Sequence, residues 1–294
     1  MTEFSRWITP LKRRSEEPTE AGGRVEYEDF PCTIAVTGPL LHTLFQEHWQ
    51  EVELGHVVQG SVLELSFTQP PKIFTLYDGY LTVVTEAWHL HLCVEENQGG
   101  PEQRTPEPLR QERLIKRAAL YRRFNASDRP VSWGIQFWNG SDERMMTLFL
   151  PNPYLGEGEE LLPLGKPQLE KLGLYETLRQ IYVLGEQPIP YTENPLKRPY
   201  LAVCRSGRCN PSRNWQPTFD ALQAAVDAAG LDVKVQTAGC LEVCKLGPVV
   251  FYSGDRTWYI RVTPEVAQQL VQQQLVQGQP LTEHRYPRVS HGES

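Results

Sequence analysis

Two pairs of closely spaced cysteines constrain this chain more than any other feature of its sequence. Cys204 and Cys209 have four residues between them, and Cys240 and Cys244 have three. Two such pairs can surround a small metal centre, and four soft sulfur ligands favour an iron–sulfur cluster or zinc. The last third of the chain is therefore predicted to fold around a metal site.

The sequence around the cysteines predicts an ordered succession of strands and helices. The predicted strands are 200–203, 232–237, 249–252 and 258–262, and the predicted helices are 217–229 and a helix that begins after Thr263 with a proline in its first turn. This βαβ, ββ, α order is that of a thioredoxin-like α/β domain. If the first two strands are parallel neighbours, both cysteine loops leave the same edge of the sheet.

The cysteine segments resemble a known family. Residues 201–209 read LAVCRSGRC, residues 239–250 read GCLEVCKLGPVV, and Trp258-Tyr259 and a Thr-Pro-Glu helix start follow. In spacing and element order they resemble the thioredoxin-like [2Fe–2S] ferredoxins, which include the small iron–sulfur subunit of NADH dehydrogenase and of bidirectional hydrogenases. The resemblance covers only the C-terminal third. It implies one [2Fe–2S] cluster, bound by Cys204, Cys209, Cys240 and Cys244, that carries one electron at a time to and from redox partner proteins.

A structural zinc site is the main alternative for the four cysteines. Zinc sites commonly use pairs with two intervening residues, and the spacings of four and three depart from that pattern. Disulfides are a weaker alternative, because six cysteines in 294 residues are too sparse for a secreted disulfide scaffold. Cys32 and Cys93 match no part of the metal pattern and are interpreted as buried free thiols.

The rest of the chain predicts a larger α+β domain built on antiparallel hairpins. The predicted parts are a flexible arm at 1–25, the α+β domain of unknown function at 26–184, a Pro-rich linker at 185–199, the ferredoxin domain at 200–281 and a flexible tail at 282–294. Within the α+β domain, strands are predicted at 60–67, 72–77, 80–94, 132–137 and 144–150, and helices at 40–49, 108–124 and 168–183. Asp78-Gly79 and Asn139-Gly140 are strong hairpin signals. This domain resembles no family by any motif.

A second candidate metal site lies in the α+β domain. In the segment WHLHLC, alternation along a strand places His89, His91 and Cys93 on one face. Two histidines separated by one residue are a common metal-ligand arrangement on strands, and Cys93 or Glu95 could extend it. The alternative is the polar face of a half-exposed sheet, with the histidines packed under a helix.

A group of basic residues in the α+β domain suggests an anion site. Seven arginine and lysine residues fall within a predicted helix at 104–123, against two glutamates. Such a stripe could hold an anionic small-molecule ligand, such as the carboxylates of a tetrapyrrole, or an acidic redox partner. A solvated helix face is the ordinary alternative.

Charge and hydropathy bound the remaining possibilities. The net charge of −7 argues against a nucleic-acid partner, and no apolar stretch is long enough to span a membrane. Without a recognisable signal sequence, the protein is expected to be cytoplasmic. The sequence thus predicts an iron–sulfur electron carrier or redox accessory protein. The alternatives are a redox-assisted enzyme or chaperone that acts on a metal or tetrapyrrole through His89 and His91, and a structural zinc protein.

Overall fold

The chain is a mixed α/β protein with antiparallel sheets. The computed structural model describes residues 14–19, 22–58, 61–156, 160–163, 165–206, 214–243 and 245–287. These residues form two compact units. Unit 1 contains the described residues up to Asn97 together with Glu107–Leu196, and unit 2 contains Gln98–Pro106 together with the described residues from Lys197 onward.

Unit 1 is built on a seven-stranded sheet in which each neighbouring pair is antiparallel. Its strands are β1 (Arg14–Pro18), β2 (Arg24–Phe30), β3 (Glu53–Val58), β4 (Ser61–Leu65), β8 (Arg117–Phe124), β9 (Pro130–Trp138) and β10 (Arg144–Phe149). They lie in the order β1-β2-β8-β9-β10-β3-β4. The predicted antiparallel hairpins are therefore present, with β9 and β10 joined at the predicted Asn139-Gly140 turn.

A second sheet of unit 1 has three antiparallel strands, β5 (Ile73–Tyr77), β6 (Tyr80–Val84) and β7 (His89–Cys93). The predicted Asp78-Gly79 turn joins the first two, and both residues have positive φ angles of 46° and 81°. Glycine adopts that conformation without steric cost, which is why the dipeptide marks hairpins. The single predicted strand 80–94 is in fact two strands with a turn between them.

Three helical segments complete unit 1. They are α1 (Ile34–His42), which continues as a π-helical segment Thr43–Glu47; α2 (Glu107–Arg113); and α3 (Gly173–Leu178), which is preceded by a 3₁₀ turn and continues as a π-helical segment Arg179–Leu184. The core lies between the sheets and α1 and α3 with their π-helical continuations, whereas α2 buries none of its residues. Its largest fully buried members are Phe45, Phe137, Tyr175 and Leu81. The helix predicted at 168–183 is thus confirmed, although its hydrogen bonding changes from 3₁₀ to α to π along its length.

The N-terminal arm was predicted to extend to residue 25, and this is wrong for its last part. β1 pairs with β2 over five residues, from Arg14 opposite Glu28 to Pro18 opposite Arg24. The many charged residues of β1 and β2 argue against strands in the sequence. In the structure their charges are neutralised by partners elsewhere in the chain. Residues 1–13 lie outside the described part of the chain.

Unit 2 contains a four-stranded sheet in the order β12-β11-β13-β14. Its elements are β11 (Tyr200–Cys204), α4 (Gln216–Ala228), β12 (Lys234–Ala238), β13 (Val250–Tyr252), β14 (Thr257–Tyr259) and α5 (Pro264–Leu270), which continues as a π-helical segment Val271–Val276. β11 and β12 are parallel, and the other pairs are antiparallel. Thr263 caps α5 as predicted, since its hydroxyl accepts a hydrogen bond from the Val266 amide at 3.3 Å.

Two segments belong to other units than the predicted domain boundaries imply. Residues up to Leu196, within the predicted linker, belong to unit 1: Asn194 donates from its side chain to the Ile34 carbonyl at 2.7 Å, and Leu196 is buried in the core. Residues 98–106, within the predicted α+β domain, belong to unit 2.

The predicted flexible tail is ordered in its first part. The Ile260 amide donates to the His284 carbonyl at 2.8 Å, and the Tyr286 amide donates to the Trp258 carbonyl at 2.8 Å. Residues 288–294 lie outside the described part. No helix among the described residues is long and apolar enough to cross a membrane.

Candidate functional site

The candidate site of unit 2 is the edge of the sheet where two parallel strands end. Cys204 is the last residue of β11 and lies opposite Ala238, the last residue of β12. The Arg205 amide donates to the Ala238 carbonyl at 2.8 Å, so the pairing extends one residue past the strand. Cys240 follows two residues after Ala238. The parallel pairing therefore places Cys204 and Cys240 at one edge of the sheet.

The two described cysteines of this site differ in exposure. Cys204 is buried, with its Sγ 4.0 Å from the Gly239 carbonyl oxygen, whereas Cys240 is exposed. The backbone amide of Glu242 donates to the Cys240 Sγ at 3.4 Å. Both are free thiols, and Cys209 and Cys244 lie outside the described residues.

The two described thiols at this edge are of the kind that ligates a metal cluster. One buried and one exposed thiol on adjacent loops, with an amide N–H directed at sulfur, is the chemistry that iron–sulfur clusters use. Arg205 and Lys245 are exposed on the same two loops and add positive charge. Among the described residues no three His, Cys, Asp or Glu side chains form a metal-binding group; two of the four predicted ligands are not among those residues.

The predicted second site lies on the outer face of the three-stranded sheet. His89 and His91 are both exposed, and their ring centroids are 5.4 Å apart. The Nδ1 atom of His91 is 3.0 Å from the Thr82 hydroxyl. Burial, and then the neighbouring His89, lower the pKa of His91, which favours its neutral, metal-binding form. The opposite face of the sheet supplies Leu81 and Leu92 to the core.

Cys93 shares this strand but does not extend the histidine pair at the surface. It is buried, and its thiol donates to the Glu95 carbonyl at 3.2 Å. Burial raises the pKa of the Cys93 thiol to about 11. A thiol in this state is a poor metal ligand, because the thiolate is the binding form. Because both histidines are exposed, the alternative in which they pack under a helix is wrong.

The predicted basic helix is wrong. Only Glu107–Arg113 is helical, and Arg117–Phe124 is a strand between β2 and β9. Arg122 is buried and pairs with Glu26 at 3.0 Å, and Arg117 pairs with Asp29 at 3.0 Å. Since these arginines are bound within the fold, the stripe that suggested an anionic ligand does not exist as one surface.

A polar cluster that no sequence pattern predicted joins α1, with its π-helical continuation, to the segment after α3. The Tyr191 hydroxyl lies 3.0 Å from His42 Nδ1 and 3.0 Å from the Thr43 hydroxyl, and it donates to Glu47. Burial lowers the pKa of His42, although Glu47 opposes this. No sequence spacing indicates the cluster, because Tyr191 is 149 residues from His42. The contacts of Tyr191 hold residues 185–196 against α1 and its π-helical continuation.

Comparison with known proteins identifies the family of the larger part of the chain. Residues 14–184 match a family of unknown function, DUF7676, and these residues are more than half of the chain. The chain belongs to this family. No curated protein matches it.

Several solved structures share limited similarity with the chain. A thioredoxin-like [2Fe–2S] ferredoxin from Aquifex aeolicus is 23% identical, with 33% of this chain and 94% of that chain covered and a TM-score of 0.28. The protein ChuX is 18% identical, with 49% and 75% covered and a TM-score of 0.31. ChuS, an Escherichia coli heme oxygenase, is 13% identical, with 50% and 35% covered and a TM-score of 0.31. At these TM-scores the similarities assign no activity to the DUF7676 chain, and the function has to be argued from its own residues.

Proposed function

We propose that this protein is an iron–sulfur electron carrier that holds one [2Fe–2S] cluster on Cys204, Cys209, Cys240 and Cys244. The observation that carries the proposal is the position of Cys204 and Cys240 after two parallel, adjacent strands. In the sequence, Cys209 follows Cys204 after four intervening residues, and Cys244 follows Cys240 after three. This arrangement supports four thiolates around one small centre, and the ferredoxin-like sequence of both loops favours iron and sulfide over zinc.

A bound cluster would supply a centre that accepts and releases one electron. The chain's own groups would tune it: the Glu242 amide donates to the Cys240 sulfur, which stabilises added negative charge. The positive charges of Arg205 and Lys245 favour the reduced form for the same electrostatic reason. The exposure of Cys240 supports electron exchange with a redox partner protein that docks on this side of unit 2.

Cysteine variants of the full chain, purified without oxygen, test the proposal. Wild type is expected to be coloured and to contain equal amounts of iron and acid-labile sulfide, whereas Cys204→Ser and Cys240→Ser should lose most of both. Cys32→Ser is the matched control, because Cys32 is half-buried and lies in unit 1. Colourless wild-type protein with one zinc ion per chain would establish the structural zinc alternative instead.

A second candidate function concerns the two exposed histidines of unit 1. We propose that His89 and His91 bind a transition-metal ion that prefers imidazole, or the iron of a tetrapyrrole. The contact between His91 Nδ1 and Thr82 supports this, because a hydrogen bond at one ring nitrogen orients the other toward a metal. An electron from the cluster could then serve chemistry at that metal, as in a redox-assisted enzyme or chaperone.

Titration of the full chain with Cu²⁺, Ni²⁺, Zn²⁺ and hemin tests this second function. Binding should weaken strongly in His89→Ala and His91→Ala, and less in Thr82→Val, which only releases the ring. His48→Ala is the control for loss of a surface histidine, since His48 is paired with Glu51 at 2.7 Å. Equal binding by wild type and the double histidine variant would contradict the proposal.

A further inference from the structure

Residues Gln98–Pro106 form a small closed loop within unit 2. Gly99 and Arg104 make an isolated antiparallel bridge, and the Thr105 amide donates to the Gln98 carbonyl at 3.2 Å. Pro101 at the tip is buried. The loop lies almost 100 residues before the rest of unit 2 in sequence, and no local sequence signal predicted this position.

The loop is fixed to the unit at one side by the C-terminal segment. The Tyr286 hydroxyl donates to Glu102 Oε1 at 3.0 Å. Tyr286 is itself held by β14, because its amide donates to the Trp258 carbonyl and the adjacent Arg285 forms a bridge with Tyr259. The loop therefore rests on a hydrogen-bonded extension of the four-stranded sheet.

On its other side the loop touches the second cysteine segment. A Cβ atom added to Gly100 would lie 2.0 Å from Glu242 Oε2 and 3.5 Å from Glu242 Cβ. The backbone of Gly100 thus packs directly against this side chain, and a side chain added at Gly100 would displace the Glu242 carboxylate. Glu242 lies between Cys240 and Cys244, and its amide makes the hydrogen bond to the Cys240 sulfur.

Glu242 needs support from its surroundings because its backbone is unusual. Its φ angle is 65°, and that of Lys245 is 66°, in the left-handed region that non-glycine residues rarely adopt. Such conformations persist where neighbouring structure holds them, and they concentrate at functional sites. The contact with Gly100 holds the side chain of Glu242, and the hydrogen bond to the Cys240 sulfur holds its backbone amide.

We infer that Gln98–Pro106 is a positioning element of the cysteine site, which holds the segment from Cys240 to Val243 through Glu242. The role of the cluster rests on the proposed function, whereas the fixing of the loop does not. The loop would act through Glu242 and not as a ligand, because it contains no cysteine or histidine. Ligand geometry and the N–H···S bond would then both depend on Gly100.

Gly100→Val in the full chain tests the inference, with Gln103→Val as the matched control. Gln103 is exposed in the same loop, so a valine there should meet no obstacle. In the iron-free, reduced chain, hydrogen exchange at the Glu242 amide should quicken at least about threefold in Gly100→Val, because loss of the support opens the loop locally. In the iron-loaded chain, bleaching of the cluster in air should quicken to a similar degree.

The outcomes separate this inference from the proposed function. Unchanged exchange at Glu242 in Gly100→Val would overturn the positioning role, whether or not the chain binds iron. Faster exchange with unchanged bleaching would overturn the dependence of the cluster on this contact. Glu242→Ala provides a second variant that removes the same contact without placing a new side chain in the loop, and it should reproduce both effects. A chain that binds no iron would refute the electron-carrier proposal, while the exchange measurement would still decide the positioning role.

Discussion

Removal of Arg179 should be among the most damaging single substitutions in unit 1. Arg179 donates from Nε to Glu28 Oε2 at 2.7 Å; the Glu28 side chain is 0% exposed and that of Arg179 14%. The other oxygen of Glu28 has no hydrogen-bond partner, so this contact is what satisfies the carboxylate. Burial alone would lower the pKa of Arg179, but the hydrogen bond and charge of Glu28 raise it.

The expected cost follows from the burial of Glu28. Arg179→Met keeps the length of the side chain but leaves a buried carboxylate with neither counter-charge nor hydrogen bond, which costs about 3–5 kcal/mol. For a unit of this size, each 1 kcal/mol corresponds to about 2–4 °C, so the melting temperature of unit 1 should fall by roughly 6–20 °C. Urea unfolding followed by circular dichroism, and calorimetry, measure the two quantities.

Two further variants make the reasoning refutable. Lys72→Met removes an ion pair with Glu86 that is 2.6 Å long but exposed on both sides, so it should leave the stability of unit 1 nearly unchanged. Glu28→Leu combined with Arg179→Met removes both buried charges and should recover much of the lost stability. If Arg179→Met is no more harmful than Lys72→Met, or if the double variant is as unstable as the single one, the buried pair does not have the assigned role.

Three other predictions concern groups of unit 1. Burial lowers the pKa of His42 below its usual 6.5. The neutral side chain therefore stabilises unit 1 fully above pH 6.5, and this contribution is lost as the pH falls. The free energy of unfolding, measured from about pH 7.5 to 5, should decrease, and the decrease should be smaller in His42→Gln. The Cys93 thiol, with a pKa of about 11 raised by burial, should react with iodoacetamide at pH 8 far more slowly in the folded than in the unfolded chain, as mass spectrometry would show. Gly134→Ala places a Cβ 2.1 Å from the Leu148 carbonyl and should destabilise unit 1 by about 1–3 kcal/mol in urea, whereas Gly165→Ala meets nothing and should not.

The elements that the sequence predicted well are those with local signals. Asp78-Gly79 adopts the positive φ angles that its residue types favour, and Thr263 caps its helix through its own hydroxyl. In unit 2 the alternation of strands and helices follows the hydrophobic pattern closely. The convergence of Cys204 and Cys240 was therefore predictable, since it requires only the order of the elements and parallel pairing.

The elements that the sequence missed depend on distant partners. The segment RAALYRRF is rich in good helix formers, but pairing on both sides with β2 and β9 makes it a strand, because tertiary contacts outweigh propensity. β2 carries Glu26 and Glu28, which are unusual in a buried strand unless arginines neutralise them. Those arginines, Arg122 and Arg179, come from 96 and 151 residues further along the chain. The same holds for Gln98–Pro106, whose contacts are made by Glu242 and Tyr286, both more than 130 residues further along the chain.

We propose that Cys204, Cys209, Cys240 and Cys244 hold a redox-active [2Fe–2S] cluster. Electron paramagnetic resonance of the full chain tests it most directly, before and after reduction by dithionite without oxygen. The oxidised protein should give no signal, and the reduced protein should give the spectrum of one unpaired electron shared by two irons, integrating to about one spin per cluster. The signal should be absent in Cys204→Ser and unchanged in Cys32→Ser. A wild-type chain that gives no signal after reduction and contains zinc in place of iron would contradict the account.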